Sequence, residues 1–80
     1  MAAVEIFPGV TSDPETGSGK PMIKDTRIPV SLVIAFLAGG MSQENLHEEY
    51  HLTADQVHTA LAYAEQVIEE RDNELTAGGK

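Results

Sequence analysis

A long helical periodicity towards the C-terminus constrains the fold of this 80-residue chain more than any other feature. From Thr53 onward, apolar residues recur with the 3.6-residue period of an amphipathic α-helix, and no breaker interrupts them before Gly78. Thr53 and Gln56 have the spacing of a capping box, which marks a helix start. We therefore predict a helix of about 18 to 22 residues, longer than the average of about 11–12. Its apolar stripe consists of Val57, Ala60, Leu61, Ala64, Val67, Ile68 and Leu75.

Two shorter helices are predicted before it. Residues 31–38 are apolar on nearly every face, which predicts a helix that is buried on all sides, and Gly39–Gly40 would end it. Ser42 is a good N-cap for a second helix, and Met41 and Leu46 have the spacing of a hydrophobic staple. A connection of about three residues then leads into the long helix, which makes a helix-turn-helix arrangement plausible.

The N-terminal part of the chain has the character of strands and turns. Val4, Ile6 and Val10 are β-branched, and Pro8 between them is typical of an edge strand. We predict one mostly α domain over residues 1–80: a three-helix homeodomain-like helix-turn-helix core with a short N-terminal β-hairpin or strand pair. The strand and turn segment spans 4–29, the three-helix core with its extended C-terminal helix spans 30–75, and a flexible tail spans 76–80.

Charge and composition exclude several classes of protein. The net charge is −8, and residues 41–80 hold nine of the 13 acidic residues, which disfavours an isolated nucleic-acid binder. The absence of cysteine excludes disulfides, thiolate zinc sites and a cysteine nucleophile. Neither an apolar run of membrane-spanning length nor a basic leader is visible, so we expect a cytoplasmic protein. A chain this short buries only about 60% of its unfolded surface, so we expect a homodimer or another partner.

Several sequence pieces together point to a known family. Gly19–Val30 has the sequence GKPMIKDTRIPV, and Leu37–Ser42 (LAGGMS) follows. The further pieces are Glu49–Tyr50, Leu52–Thr53 and Ala60–Ala64 (ALAYA). Over about residues 4–66 the chain resembles the domain of unknown function 433 family.

The resemblance implies a homeodomain-like three-helix core. It also implies an antitoxin-like role, because members of that family are often predicted antitoxins paired with a PIN-like ribonuclease toxin. It carries over no catalytic residue. Asp25 departs from the family pattern, which commonly has glycine there, and this is expected to alter the turn because aspartate tolerates the left-handed conformation less readily.

Two patterns invite a ligand-binding interpretation that the sequence does not complete. Gly17–Lys20 (GSGK) lacks the earlier glycine and the following Ser or Thr of a phosphate-binding loop, so we predict a flexible loop. His47 and His51 have a spacing that can chelate a metal from one helix face, but no third ligand completes a closed site. We predict no metal, no cofactor and no catalytic residue, because no nucleophile–base pair lies at a usable spacing.

Arg27 allows two interpretations. It could clamp a carboxylate of a ligand, or it could form an intramolecular ion pair with Asp25, Glu44 or Glu48. We favour the intramolecular pair, because a marginal fold needs a link between its hairpin and its helices. We accordingly predict a structural turn built from Thr26, Arg27 and Pro29.

The exposed early positions of the long helix could face DNA. They are Gln56, His58 and Thr59, of which glutamine can recognise adenine. No Arg or Lys occurs between Arg27 and Arg71, so we do not favour DNA binding by the isolated chain. The alternative function is a helix-turn-helix transcriptional regulator that binds DNA as a dimer or together with a basic partner.

The leading prediction is a non-enzymatic protein-binding module. We expect the antitoxin of a type II toxin–antitoxin pair, which neutralises a basic, PIN-like ribonuclease toxin. A homodimer would form through the apolar first helix or the N-terminal strands. The acidic stretch could instead be only a solvated face. The residues predicted to contact the partner are Glu65, Val67, Ile68, Glu69, Glu70, Asp72 and Leu75.

Overall fold

Three helices and a small sheet make up the fold, as a computed structural model of residues 3–15 and 17–78 shows. The mostly α prediction with N-terminal strands is confirmed. The strands are β1 (Val4–Phe7), β2 (Val10–Ser12) and β3 (Met22–Ile23), with one 3₁₀ turn at Gly17–Gly19 between β2 and β3. The helices are α1 (Val30–Ala38), α2 (Gln43–Tyr50) and α3 (Ala54–Gly78).

The sheet is antiparallel in the order β1-β2-β3, so it has one strand more than the predicted pair. Val10 pairs with Ile23, and both side chains are buried in the core. The backbone then ties α1 to this sheet, because the N–H of Val30 donates to the carbonyl oxygen of Pro21 at 3.0 Å. Pro29 occupies the N-cap position of α1 with φ −66°, the value that its ring fixes.

The turn between β3 and α1 is held locally by Thr26. Its hydroxyl donates to the carbonyl oxygen of Ile23 at 2.7 Å and accepts from the N–H of Ile28 at 3.0 Å. Asp25, at the position where the family commonly has glycine, has a left-handed φ of 63°. The turn is therefore built with an aspartate in a conformation that glycine adopts more readily.

The predicted ion pair of Arg27 is wrong. Arg27 is exposed and has no ion pair with Asp25, Glu44 or Glu48 among the described residues. Buried apolar side chains and backbone hydrogen bonds link the sheet to the helices instead. The fold is therefore held together at this point without an ion pair of Arg27.

Helix α1 is buried on one side only, contrary to the sequence prediction. Val30 and Val33 are its buried residues, whereas Leu32 is 39% exposed. The reason is that α1 packs mainly against α3, so its other face stays on the surface. Its C-terminus has Schellman geometry: Gly40 has φ 104°, and the N–H of Met41 donates to the carbonyl oxygen of Phe36 at 3.0 Å.

Both predicted helix starts are confirmed. The Ser42 hydroxyl accepts from the N–H of Asn45 at 3.1 Å, and the Asn45 side chain accepts from the N–H of Ser42 at 3.1 Å. At the start of α3, the Thr53 hydroxyl accepts from the N–H of Gln56 at 3.1 Å and the Gln56 side-chain oxygen accepts from the N–H of Thr53 at 2.8 Å. Helix α2 ends at Tyr50, and its C-cap residue His51 has a left-handed φ of 60°.

Helix α3 is longer than predicted. It has 25 residues and extends to Gly78, so three residues that the sequence assigns to a flexible tail are helical. The last two residues of that predicted tail lie outside the described residues. The extension agrees with the lack of any breaker before Gly78.

The buried apolar residues form one cluster to which the sheet and all three helices contribute. Phe7 and Tyr63 pack against it with an edge-to-face ring contact, their centroids 5.4 Å apart. This contact fixes the sheet against the middle of α3. The cluster consists of Val10, Ile23, Val30, Val33, Leu46, Leu52, Val57 and Ala60.

Candidate protein-interaction surface

Helix α1 covers only the beginning of α3, and the C-terminal part of α3 extends beyond it. At 1.5 Å per residue, the nine residues of α1 span about 13 Å and the 25 residues of α3 about 37 Å. Every residue from 65 to 75 is exposed, and we call this segment the distal half of α3. The core therefore ends where the distal half begins.

Large apolar side chains nevertheless continue along the distal half. Ile68 and Leu75 are each 60% exposed, and Val67 is 44% exposed. Leu61, two turns before Ile68, is also exposed. Because a helix segment of this length is marginal in water without tertiary packing, the uncovered apolar stripe is a candidate interaction surface.

One side of this stripe is a groove with almost entirely apolar walls, which we call the apolar groove. It lies between α1 and α3 and has a volume of about 360 Å³. Tyr63 and Val67 form its α3 wall, and Val30 and Ile34 form its α1 wall. The groove can receive a large apolar side chain. Its remaining lining residues are Lys20, Pro21, Ser31, Ala64 and Ile68.

The other side of the stripe is a hollow of about 420 Å³ with an acidic rim, which we call the acidic groove. Its floor is apolar, and its rim carries Glu65, Glu69 and Asp72 without any lysine or arginine among its lining residues. Ile34, Ala64 and Ile68 line both grooves and therefore lie between them. A partner would meet an apolar centre with carboxylates along one edge.

Arg71 is the one cationic residue in the distal half. It lies on the stripe between Ile68 and Leu75, three residues after the first and four before the second. It is exposed and makes no ion pair among the residues that the structure describes. On the back of the helix, Gln66 donates a long hydrogen bond of 3.4 Å to Glu70.

The comparisons with known proteins establish the family. Residues 10–64 match the family described as protein of unknown function (DUF433). The chain belongs to the DUF433 family. The crystal structure of a DUF433 member protein from Anabaena variabilis ATCC 29413 superposes with a TM-score of 0.70 and 32% identity, over 85% of this chain and 68% of that one.

A sequence relative is similar to part of this DUF433 chain. It is uncharacterized protein y4eO of Sinorhizobium fredii (strain NBRC 101917 / NGR234), 40% identical over 57 residues, which are 70% of this chain and 26% of that protein. This chain thus spans about a quarter of the length of that relative. The match to the DUF433 description ends at residue 64, so the distal half of α3 lies beyond it.

The three positions predicted to face DNA differ in their surroundings. The Gln56 side chain is engaged in the α3 capping box. Thr59 is half-buried against Gly9 in the β1–β2 turn. His58 is exposed. Two of the three side chains therefore already make structural contacts within the DUF433 fold.

The features that suggested small ligands are also engaged in local structure. His47 Nδ1 lies 3.1 Å from the carbonyl oxygen of Leu52, at the end of α2. In the glycine-rich turn, the Ser12 hydroxyl donates to the carbonyl oxygen of Gly19 at 2.7 Å. Among the described residues, no group of three or more potential metal ligands occurs, and no helix is long and apolar enough to cross a membrane.

The structure brings together residues that the sequence prediction omitted. Predicted contact residues Glu65, Val67, Ile68, Glu69 and Asp72 line the two grooves. The helical period places Leu61 and Ala64 on the apolar stripe, but only the packing of α1 against α3 shows that both residues line a groove. The omitted lining residues are Lys20, Pro21, Val30, Ser31, Ile34, Leu61, Tyr63 and Ala64.

Proposed function

We propose that this chain is a non-enzymatic protein-binding module of the cytoplasm, and that it is the antitoxin of a type II toxin–antitoxin pair. Its toxin would be a basic, PIN-like ribonuclease. The observation that supports this function is the uncovered apolar stripe of the distal half of α3 with carboxylates beside it.

The apolar part of the surface supplies the affinity. Fully burying a side chain such as Ile68 or Leu75 stabilises a complex by roughly 1.5–3 kcal/mol each. Both side chains are more than half exposed in the free chain, so binding can still bury most of their apolar surface. The apolar groove adds a receptor site for one large side chain of the toxin.

The acidic part of the surface supplies selectivity for a basic partner. A ribonuclease binds the phosphates of RNA through Lys and Arg. Glu65, Glu69 and Asp72 present carboxylates along one edge of the stripe and would compete for those cations. With a net charge of −8, the chain would also be steered towards a positively charged cleft.

We also propose that the chain forms a homodimer through its N-terminal strands or through α1. β1 is an edge strand on which Val4 and Ile6 are exposed, and Leu32 is exposed on α1. Both surfaces are distinct from the distal half of α3. A dimer of this kind would leave two copies of the toxin-binding surface free.

The function is tested by expressing the chain together with the product of the neighbouring gene and measuring ribonuclease activity of the purified partner. We expect a stable complex at physiological salt, and we expect the chain to inhibit RNA cleavage stoichiometrically. A neighbouring product that neither binds the chain nor cleaves RNA would contradict the antitoxin role. Filter binding to the upstream DNA separates the regulator alternative, which requires a complex with steep salt dependence.

A further inference from the structure

We propose that the distal half of α3 pairs with a basic amphipathic helix that carries one carboxylate opposite Arg71, and that it rejects a second copy of this chain. This inference rests on the proposed function, because it specifies the chemistry of the partner at the same surface.

The apolar stripe has the spacing of a helix–helix seam. Ala64, Ile68, Arg71 and Leu75 follow one another at intervals of four, three and four residues, the repeat of the inward positions of a coiled coil. We call these four residues the seam. Ile34 of α1 lines hollows together with Ala64 and Ile68, so α1 covers only the beginning of the seam. A partner helix has room along the remainder.

The residues that flank the seam determine which helix can pair with it. Glu65 and Asp72 lie on one flank and Glu74 on the other, at the positions that set partner choice in coiled coils. In a parallel pair of two copies the two flanks face each other, and in an antiparallel pair each flank faces itself. An antiparallel pair places carboxylates opposite carboxylates, and a parallel pair in register places the two Arg71 guanidinium groups opposite each other in the seam, so both arrangements oppose self-pairing. Lysine or arginine on the partner's flanks removes this repulsion.

Arg71 makes the choice more specific. A helix that covers the seam also removes water from the Arg71 guanidinium, which has no ion pair among the described residues. Burial of an unpaired charge is strongly destabilising, whereas a carboxylate opposite the guanidinium compensates for the lost water. The partner helix is therefore expected to be basic on its flanks and to carry a single Asp or Glu at the facing inward position.

The extent of the family match agrees with this assignment. It ends at residue 64, and three of the four seam residues follow that position. The determinants of partner choice thus lie on the segment beyond the part that the family description covers. This placement suits a surface that distinguishes one partner from others on a common fold.

The test uses the full chain and three synthetic helical peptides of about three heptads with a leucine seam. The first has lysine flanks and a glutamate opposite Arg71, the second has lysine flanks and leucine there, and the third has glutamate flanks. Fluorescence anisotropy at physiological salt measures each affinity. We expect the first peptide to bind about tenfold more tightly than the second and the third not to bind.

The Arg71→Leu variant tests whether the peptide preference depends on the pairing of Arg71 with a carboxylate or only on charge attraction to the flanks of the seam. We expect it to bind the leucine peptide at least as tightly as the glutamate peptide, because the buried charge is gone. An unchanged preference for the glutamate peptide in Arg71→Leu, or equal binding of basic and acidic peptides by the natural chain, would overturn the inference.

Self-pairing is checked by sedimentation of the natural chain and of Ile68→Asp. We expect both to have the same mass, whatever homodimer forms elsewhere. A loss of self-association in Ile68→Asp, with an unchanged circular dichroism spectrum, would mean that the seam binds a second copy. Failure of the antitoxin role leaves the peptide selectivity untouched, whereas loss of that selectivity overturns this inference even where a toxin complex forms.

Discussion

Gly9 in the β1–β2 turn lies so close to Thr59 of α3 that a Cβ atom on Gly9 would be 2.8 Å from the Thr59 Cγ2 atom. Gly9 also has a φ of 86°, a conformation that other residues rarely adopt. The sheet and α3 therefore meet at a position where only glycine fits.

The Gly9→Ala variant tests this contact. We expect it to lower the free energy of unfolding by about 2–3 kcal/mol, because backbone strain and overpacking add. Gly40→Ala is the matched control: its φ is 104° but a Cβ there meets nothing within 4 Å. Urea denaturation should show a larger loss for Gly9→Ala, with partial recovery when Thr59→Ser removes the methyl group. Equal losses at the two glycines would contradict the close contact.

Asp25 provides a stabilising substitution. Because its φ is 63°, Asp25→Gly should raise the free energy of unfolding by about 0.5–1 kcal/mol, while Asp25→Ala should lower it. Thermal unfolding of the two variants beside the natural chain measures both changes. A destabilised Asp25→Gly protein would mean that the aspartate side chain contributes more to the turn than its backbone strain removes.

The start of α3 depends on Thr53. Removing its hydroxyl in Thr53→Ala leaves the N–H of Gln56 without its acceptor, and we expect a loss of about 1 kcal/mol in stability. Ser31→Ala, which removes an exposed hydroxyl from α1, serves as the control and should change stability by less than about 0.5 kcal/mol. Chemical denaturation that gives the same midpoint for both variants would argue against the capping box.

A small pH dependence is expected from Glu5. The N–H of Gly9 donates to its carboxylate at 2.8 Å, and this bond together with Lys24 holds the pKa of Glu5 below its usual range. A lowered carboxylate pKa contributes stability above the pKa of the unfolded chain, and this contribution is lost as pH falls through the folded value. Glu5→Gln should therefore lose less stability than the natural chain on acidification in thermal unfolding scans. Parallel pH profiles for the two proteins would contradict this.

Local chemistry accounts for what the sequence predicted well. Ser42 and Thr53 cap α2 and α3 through side chains three residues away, so their spacing alone locates both helix starts. The missing breaker before Gly78 agrees with the end of α3, although the predicted length of about 18 to 22 residues was shorter than the observed 25. Its apolar stripe was visible because helical periodicity depends only on neighbouring turns.

Long-range packing accounts for what the sequence predicted poorly. The expected partner of Arg27 depended on where α2 would lie, and the expected burial of Leu32 on how many elements would surround α1. Neither follows from residues nearby in the chain. The two grooves likewise depend on long-range packing. Helix α1 places Ile34 beside Ala64 and Ile68 of α3, and these three residues line both grooves.

The most direct test of the protein-binding role compares two aspartate substitutions on opposite faces of the distal half of α3. Ile68→Asp adds a charge on the seam and Asn73→Asp adds the same charge on the back of the helix. Calorimetry with the neighbouring gene product measures both affinities, and circular dichroism verifies the fold. We predict that Asn73→Asp binds like the natural chain and that Ile68→Asp binds at least about 30-fold more weakly, as expected for a buried interface residue. Equal affinities of the two variants would contradict the account.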